Sequence, residues 1–157
     1  MRPGHFASRG DLPDADLRSA SVMDADDVAA LLSEMGYPCS EREARERIRL
    51  ITANDRQALV VARSGGRVCG LIGLDFMYYL PLGSTTCRIT ALVVTSDAQG
   101  QGLGRQLLKE AERRARFAGA ARLELVSGSQ RADAHAFYKA CGFSDGTVRF
   151  IKRLGEA

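Results

Sequence analysis

The chain of 157 residues has no tryptophan, only two histidines, four prolines and four cysteines. Each shortage excludes something. Cysteines 39, 69, 87 and 141 form no Cys-x-x-Cys pair and have no neighbouring histidine pair, so neither a zinc site nor a disulfide framework is expected. Cys69 and Cys87 lie in apolar runs, where a free thiol behaves as a small hydrophobe. The setting this implies is a reducing compartment. No apolar run nears the roughly 20 residues of a membrane span, and the opening "MRPGHFASRGDLPDAD" lacks the apolar centre of a signal peptide. A cytoplasmic location with no membrane partner is the expectation. Nor is charge of one sign concentrated: 22 basic residues are interspersed with 19 acidic ones, for a net charge of +3. That balance offers no basic block for nucleic acid.

What is present is 45% apolar and 26% charged residues, the balance of a soluble globular domain of ordinary size. Residues 1–16, rich in Gly, Pro and Asp, read as a flexible lead-in. Without repeats or a long linker, residues 17–157 read as a single domain. A strand is expected at Leu17–Val22. A helix follows over "MDADDVAALLSEMGYP", capped by Asp24 and stopped by Gly36 and Pro38. The next helix begins at Ser40, with Glu43 three residues on in the capping-box arrangement. "QALVVAR", "VCGLIGLDFMYYL" and "CRITALVV" read as strands. A long helix from Leu103 to Phe117 ends at Gly119. "ARLELVS" is a further strand, "RADAHAFYKAC" a helix stopped by Gly142, and "GTVRFIKRL" a last strand. The order is βααβββαβαβ, an α/β chain with a mixed twisted sheet and helices on both faces. "ITALVV" and "RLELVS" should be parallel neighbours through a right-handed crossover.

The stretch "TSDAQGQGLGRQLL" places Gly100, Gly102 and Gly104 at the start of the long helix. A helix N-terminus presents unpaired N–H groups and the positive end of a dipole, so it favours phosphate. Two common phosphate loops fail here. The dinucleotide fingerprint needs glycine where Arg105 stands, and the P-loop's Gly-Lys-Ser/Thr is absent. What remains is Gln99-x-x-Gly102-x-Gly104 after a strand, which on spacing alone also suits a plain strand-to-helix turn.

This stretch resembles the acetyl-CoA-binding signature of the GNAT superfamily of N-acyltransferases. "ADAHAFYKACGF" resembles the family's C-terminal segment, and the likeness runs from Leu17 nearly to the end of the chain. The resemblance implies acetyl-CoA as co-substrate and no metal. It implies that Gln99, Gly100, Gln101, Gly102, Leu103, Gly104 and Arg105 hold the pyrophosphate, mainly through the N–H groups of Gln101 to Arg105. Leu92, Val93 and Val94 would pair with the pantetheine arm as an added strand does. Arg131, Ala134 and Phe137 would lie beside the cofactor, and Tyr138 would be the general acid that protonates the departing thiolate. On spacing alone Tyr138 is equally a packing residue beside Phe137. Arg131 departs from the family's usual Asn.

The family's frequent glutamate on the strand before the loop is replaced by Thr90, which cannot serve as a base near neutral pH. Water, Asp75, Glu124 and, if Tyr138 is not the acid, His135 remain as proton carriers. His5 has no role. Tyr37, Tyr78, Tyr79, Glu41 and Glu43 are candidates for an acceptor pocket, or else for core, caps or a homodimer contact. The implied activity is acetyl transfer to a primary amine of a small molecule. Acetylation of a protein N-terminus or lysine, and a non-catalytic acyl-CoA-binding module, stay open beside it, as does the use of acyl groups other than acetyl.

Overall fold

The computed structural model describes residues 15–126, 132–146 and 148–155. The chain divides into two compact units, residues 1–126 and 127–157. The expected lead-in is outside the described residues up to position 14, and Asp16 already belongs to the first strand.

In the first unit, strands β1 (Asp16–Ser19), β2 (Gln57–Ser64), β3 (Arg67–Tyr79), β4 (Ser84–Val94) and β5 (Arg122–Leu125) lie side by side in chain order. The first four run antiparallel, with short turns joining β2 to β3 and β3 to β4. β5 runs parallel to β4, because the chain returns through a helix, α3 (Leu103–Phe117). Two further helices, α1 (Ala25–Glu34) and α2 (Glu41–Thr52), join β1 to β2.

Strand alternation decides which helix covers which face. Leu59 and Val61 of β2 and Leu71 of β3 form one buried cluster with Val28 and Leu31 of α1 and Ala44 and Ile48 of α2. The intervening positions face α3, whose buried stripe is Leu103, Leu107, Leu108, Ala111 and Ala115. The approach is close. A Cβ at Gly70 would lie 3.1 Å from Leu107 Cδ1 and 3.4 Å from Leu103 Cδ2, so glycine lets the helix sit against the strand. The outer face of α3 is a chain of ion pairs, Arg113 and Arg114 with Glu110 and Arg116 with Glu112. Arg113, donating to Glu110, holds that carboxyl down to about 2. The basic density of this helix is thus a solvated, internally compensated surface.

The capping box at Ser40 and Glu43 is present. The cap expected from Asp24 is not. Asp24 makes no cap bond to α1, and Ser21 instead caps a short 3₁₀ turn (Val22–Asp24) that precedes the helix. The Asp24 carboxylate accepts the Ser21 N–H at 2.8 Å and two bonds from Arg18 at 2.8 and 3.0 Å. These bonds hold it below the usual carboxylate range despite burial, the Arg18 bond foremost. β4 also begins earlier than expected, at Ser84, because the "PLG" turn is compact and closes with Gly83 in the left-handed region.

In the second unit, helix α4 (Ala132–Ala140) forms as expected. The last expected strand does not: among the described residues, 148–155 carry no strand. Val148, Phe150, Ile151 and Leu154 are all exposed. Alternating apolar residues mark a face, but a strand also needs a partner for its N–H and C=O groups.

Candidate acetyl-transfer site

β4 has two halves. Thr86–Ile89 are paired on both sides, with β3 and in parallel with Arg122–Leu125 of β5. Beyond Ile89 the strand pairs only with β3 among the described residues. The change falls at Thr90, which is skipped in the register: Ala91 faces Gly73 and Ile89 faces Leu74. This extra residue is a β-bulge, which bends a strand and re-aims its edge. Gly73 accommodates it, since a Cβ there would lie only 2.7 Å from Thr90 Oγ1.

The Thr95 N–H donates to the Cys69 carbonyl at 2.8 Å, which sets the phase of the open half. Peptide groups alternate in an antiparallel pair, so Val93 is turned toward β3 while Leu92 and Val94 are turned outward. The outward carbonyl of Val94 accepts the Gln99 side-chain amide at 3.2 Å. The Leu92 N–H and C=O and the Val94 N–H are left as a row of edge groups, the usual template for an added strand. Of the three residues expected to pair with pantetheine, Leu92 and Val94 turn their peptide groups to the open edge and Val93 turns its own toward β3.

That edge runs directly into the glycine loop. A 3₁₀ turn (Ser96–Ala98) is pinned by the contact of Asp97 with Arg67 and by the buried Ala98. Gly100 and Gly102 follow with φ of 78° and 79°, a backbone region that favours glycine over other residues. Gly102 is the N-cap of α3 and supplies no side-chain cap. The first bond of the helix is from the Gln106 N–H to the Gly102 carbonyl at 3.1 Å. The N–H groups of Leu103, Gly104 and Arg105 therefore precede the intrahelical ladder, at the positive end of a helix 15 residues long. Gln101 is half-buried beside them, and Gly104 adds no side chain that would screen them.

Arg131 lies outside the described residues. Ala134, Phe137 and Tyr138 are half-buried on α4 in the second unit. The helix ends where Gly142 turns left-handed, at φ 94°. The Phe143 N–H donates to the Tyr138 carbonyl at 3.0 Å and the Gly142 N–H to the Lys139 carbonyl at 3.1 Å. This is the Schellman end. It returns the Phe143 ring to the Tyr138 ring with centroids 6.1 Å apart, while Phe137 lies 5.6 Å on the other side. The Phe-Tyr…Gly-Phe pattern thus has a local meaning, a helix stop that clamps the tyrosine ring.

The acceptor candidates scatter. Glu43 is engaged in its cap and Glu41 is paired with Arg45 at 2.6 Å. Tyr37 is exposed. Tyr78 lines a groove of about 690 Å³ on the α3 face with Phe76, Thr85, Arg114 and Phe117, away from the strand edge just described. On the opposite face the register lines up Asp75, Arg88 and Glu124 across three strands. Arg88 Nε donates to Glu124 Oε1 at 2.7 Å, and an Arg122 nitrogen lies 3.2 Å from Glu124 Oε2. Tyr79 carries the Arg122 guanidinium over its ring at 4.5 Å. Sequence reasoning finds Glu124 and Asp75 but misses Arg88 and Arg122. The alternation in "CRIT" and "RLEL" is the available signal, and only the register joins the two strands.

The model of the acetyltransferase (GNAT) family matches residues 25–143. An aminoalkylphosphonate N-acetyltransferase of Salmonella typhimurium is 34% identical over 144 residues, covering 91% of this chain and 94% of that protein. The fold is similar to a Bacillus halodurans protein described as a transcriptional regulator, with a TM-score of 0.82 at 25% identity over 89% of this chain and 99% of that one. It is also similar to a GNAT family acetyltransferase of Staphylococcus aureus, with a TM-score of 0.77 at 24% identity over 90% of this chain and all of that one.

Proposed function

The chain belongs to the acetyltransferase (GNAT) family; from that premise we propose that it acetylates small amines and how its residues carry the reaction. Acetyl-CoA, when bound, supplies a thioester open to attack by an amine. The Leu92 and Val94 peptide groups hold its amide-bearing arm as an added strand. The N–H groups from Gln101 to Arg105 hold its pyrophosphate. The observation that carries this reading is continuity: a strand edge unpaired among the described residues leads, through two left-handed glycines, into a helix N-terminus without a side-chain cap.

The thioester carbon would then lie near the fork where β4 leaves β5, beside Thr90. Thr90 has no proton to take or give near neutral pH, so the acceptor's proton leaves through water or a neighbouring carboxylate. Tyr138 is the proposed acid for the departing thiolate, on the strength of the family motif. Residues 17–157 are taken as one catalytic domain, since the family match crosses the boundary between the two compact units. The buried thiols of Cys69 and Cys87 support a cytoplasmic setting. Among the described residues no helix is long and apolar enough to cross a membrane.

Thermal stability and thiol release test the reading together. Acetyl-CoA at about 100 times its dissociation constant should add roughly 2.7 kcal/mol, and NAD or ATP should add nothing. Release of free coenzyme A should follow on adding a small primary amine. Equal stabilisation by NAD would remove the assignment of the loop. Tyr138→Phe keeps the ring and its clamp, so acetyl-CoA should still bind while turnover falls by about 10²–10⁴-fold. Wild-type turnover in that variant would return the search for the acid to water or His135.

A further inference from the structure

The half of β4 that is closed by β5 carries a charge cluster which neither cofactor binding nor the fold requires. Arg88, Glu124 and Arg122 are linked by contacts of 2.7 and 3.2 Å, with Asp75 opposite Arg88 in the register. The side chains of Arg88, Arg122 and Glu124 are 42, 40 and 27% exposed, so the cluster is open to solvent on one side. α1 and α2 cover the other end of this face, packing on Leu59, Val61, Val68 and Leu71.

Position along the strands gives the cluster a direction. The last parallel pair is Ile89 with Leu125, and Glu124 is one residue behind it. Arg122 is two residues further from the fork, about 6.6 Å at strand rise. A carboxylate therefore stands next to the fork, and a guanidinium held over the Tyr79 ring at 4.5 Å stands beyond it. Two cations and two anions leave the patch neutral but polarised. A planar guanidinium has five donors in a fixed fork, and Arg122 spends one nitrogen on Glu124.

We propose that Arg122 and Arg88 determine acceptor specificity by binding the acid group of a short zwitterionic amine, whose ammonium is held by Glu124 toward the fork. The proposal rests on the acetyl-transfer reading for the location of the fork. The acceptor class is an amine with a phosphonate, phosphate or carboxylate two or three bonds from nitrogen, short enough for its two charges to meet the adjoining Glu124 and Arg122 groups, which lie 3.2 Å apart. A simple alkylammonium, which carries no acid group, would use Glu124 alone and gain nothing from either arginine.

Calorimetry on the full chain saturated with coenzyme A tests this without any turnover. The probes are 2-aminoethylphosphonate, β-alanine and n-propylamine. The wild type should bind at least one of the two acids at least tenfold more tightly than propylamine, and the tighter acid identifies the anion. Arg122→Gln should erase that advantage without changing propylamine, and Arg122→Lys should restore part of it. If Arg122→Gln does not fold, Arg88→Gln replaces it, with loss of the advantage again expected. Equal binding of acids and propylamine by the wild type, or an advantage that survives the arginine substitution, would overturn the proposal and leave the cluster as cross-strand pairing. Thiol release with the same amines is read separately. An intact binding preference without release would count against acetyl transfer while supporting the specificity site.

Discussion

The two halves of β4 belong to one strand but leave different groups available to a ligand. In the closed half, Thr86–Ile89, both edges are paired, so only side chains remain to meet a ligand. Thr86 and Cys87 are fully buried there, and Arg88 projects into the charge cluster. In the open half, Leu92 and Val94 keep their peptide groups outward while their side chains are half-buried. One half can recognise by side-chain chemistry and the other by backbone. This suits a two-substrate enzyme, in which the shared acyl carrier is read by main chain and the variable acceptor by side chains. Thr90, the bulged residue, is the boundary.

The comparison breaks most severely if the open half loses its anion anchor. Gly104→Asp places a carboxylate among the N–H groups at the start of α3. Its coenzyme A affinity, measured by calorimetry, should fall about 100-fold, equivalent to about 2.7 kcal/mol. The melting temperature without ligand should move much less, because Gly104 is helical rather than left-handed.

Proline distinguishes outward from inward peptide groups. Leu92→Pro removes an N–H that faces the open edge, where proline is tolerated. Coenzyme A affinity should drop by up to about tenfold, the value of one hydrogen bond, with the β3 ladder kept. Val93→Pro removes an inward donor and should instead lower folding stability, read by denaturant titration. If the two substitutions behave alike, the assigned phase of the edge is wrong.

The boundary can be tested by stability alone. Gly73→Ala brings a Cβ to 2.7 Å from Thr90 Oγ1 and should cost about 1–3 kcal/mol. Pairing it with Thr90→Ala should recover most of that loss, a coupling that a double-mutant cycle measures. Simple additivity would show that the bulge does not depend on this contact.

The smallest expected effect is chemical. Burial, aided by the charge of Asp75, pushes the Cys87 thiol up to about 11. In native protein at pH 8 a thiol reagent should label the partly exposed Cys39 and Cys141 well before Cys87. Prompt labelling of Cys87 would mean that the closed half opens readily in solution.

Much of the open half is legible in the sequence. Glycines at 100 and 102 announce left-handed backbone, the capping box at Ser40 announces a helix, and both are local properties of the chain. The closed half is not legible in the same way. Arg88 and Glu124 are 36 residues apart, and their meeting depends on register across a helix crossover. The Asp24 cap fails for a similar reason, because Arg18, six residues earlier, draws the carboxylate into its own pair. In the C-terminal unit the tyrosine motif is legible as a pattern. Its local role as a Schellman clamp appears only with Phe143 against the Tyr138 ring.

By itself, the sequence determined the elements that a few neighbouring residues can enforce. Glycine alone relaxes φ, a Ser with Glu three residues later satisfies helix N–H groups, and apolar spacing of 3.6 or 2 marks the buried face. Tertiary structure decided which strand edge stays open, where the extra residue at Thr90 falls, and which distant charges meet. Those outcomes depend on pairing between segments, and hydrogen-bonding groups on a strand have no preference for a partner until packing brings one alongside. The "GTVRFIKRL" run makes the same point, since its residues alternate as a strand's would and no strand follows from it among the described residues.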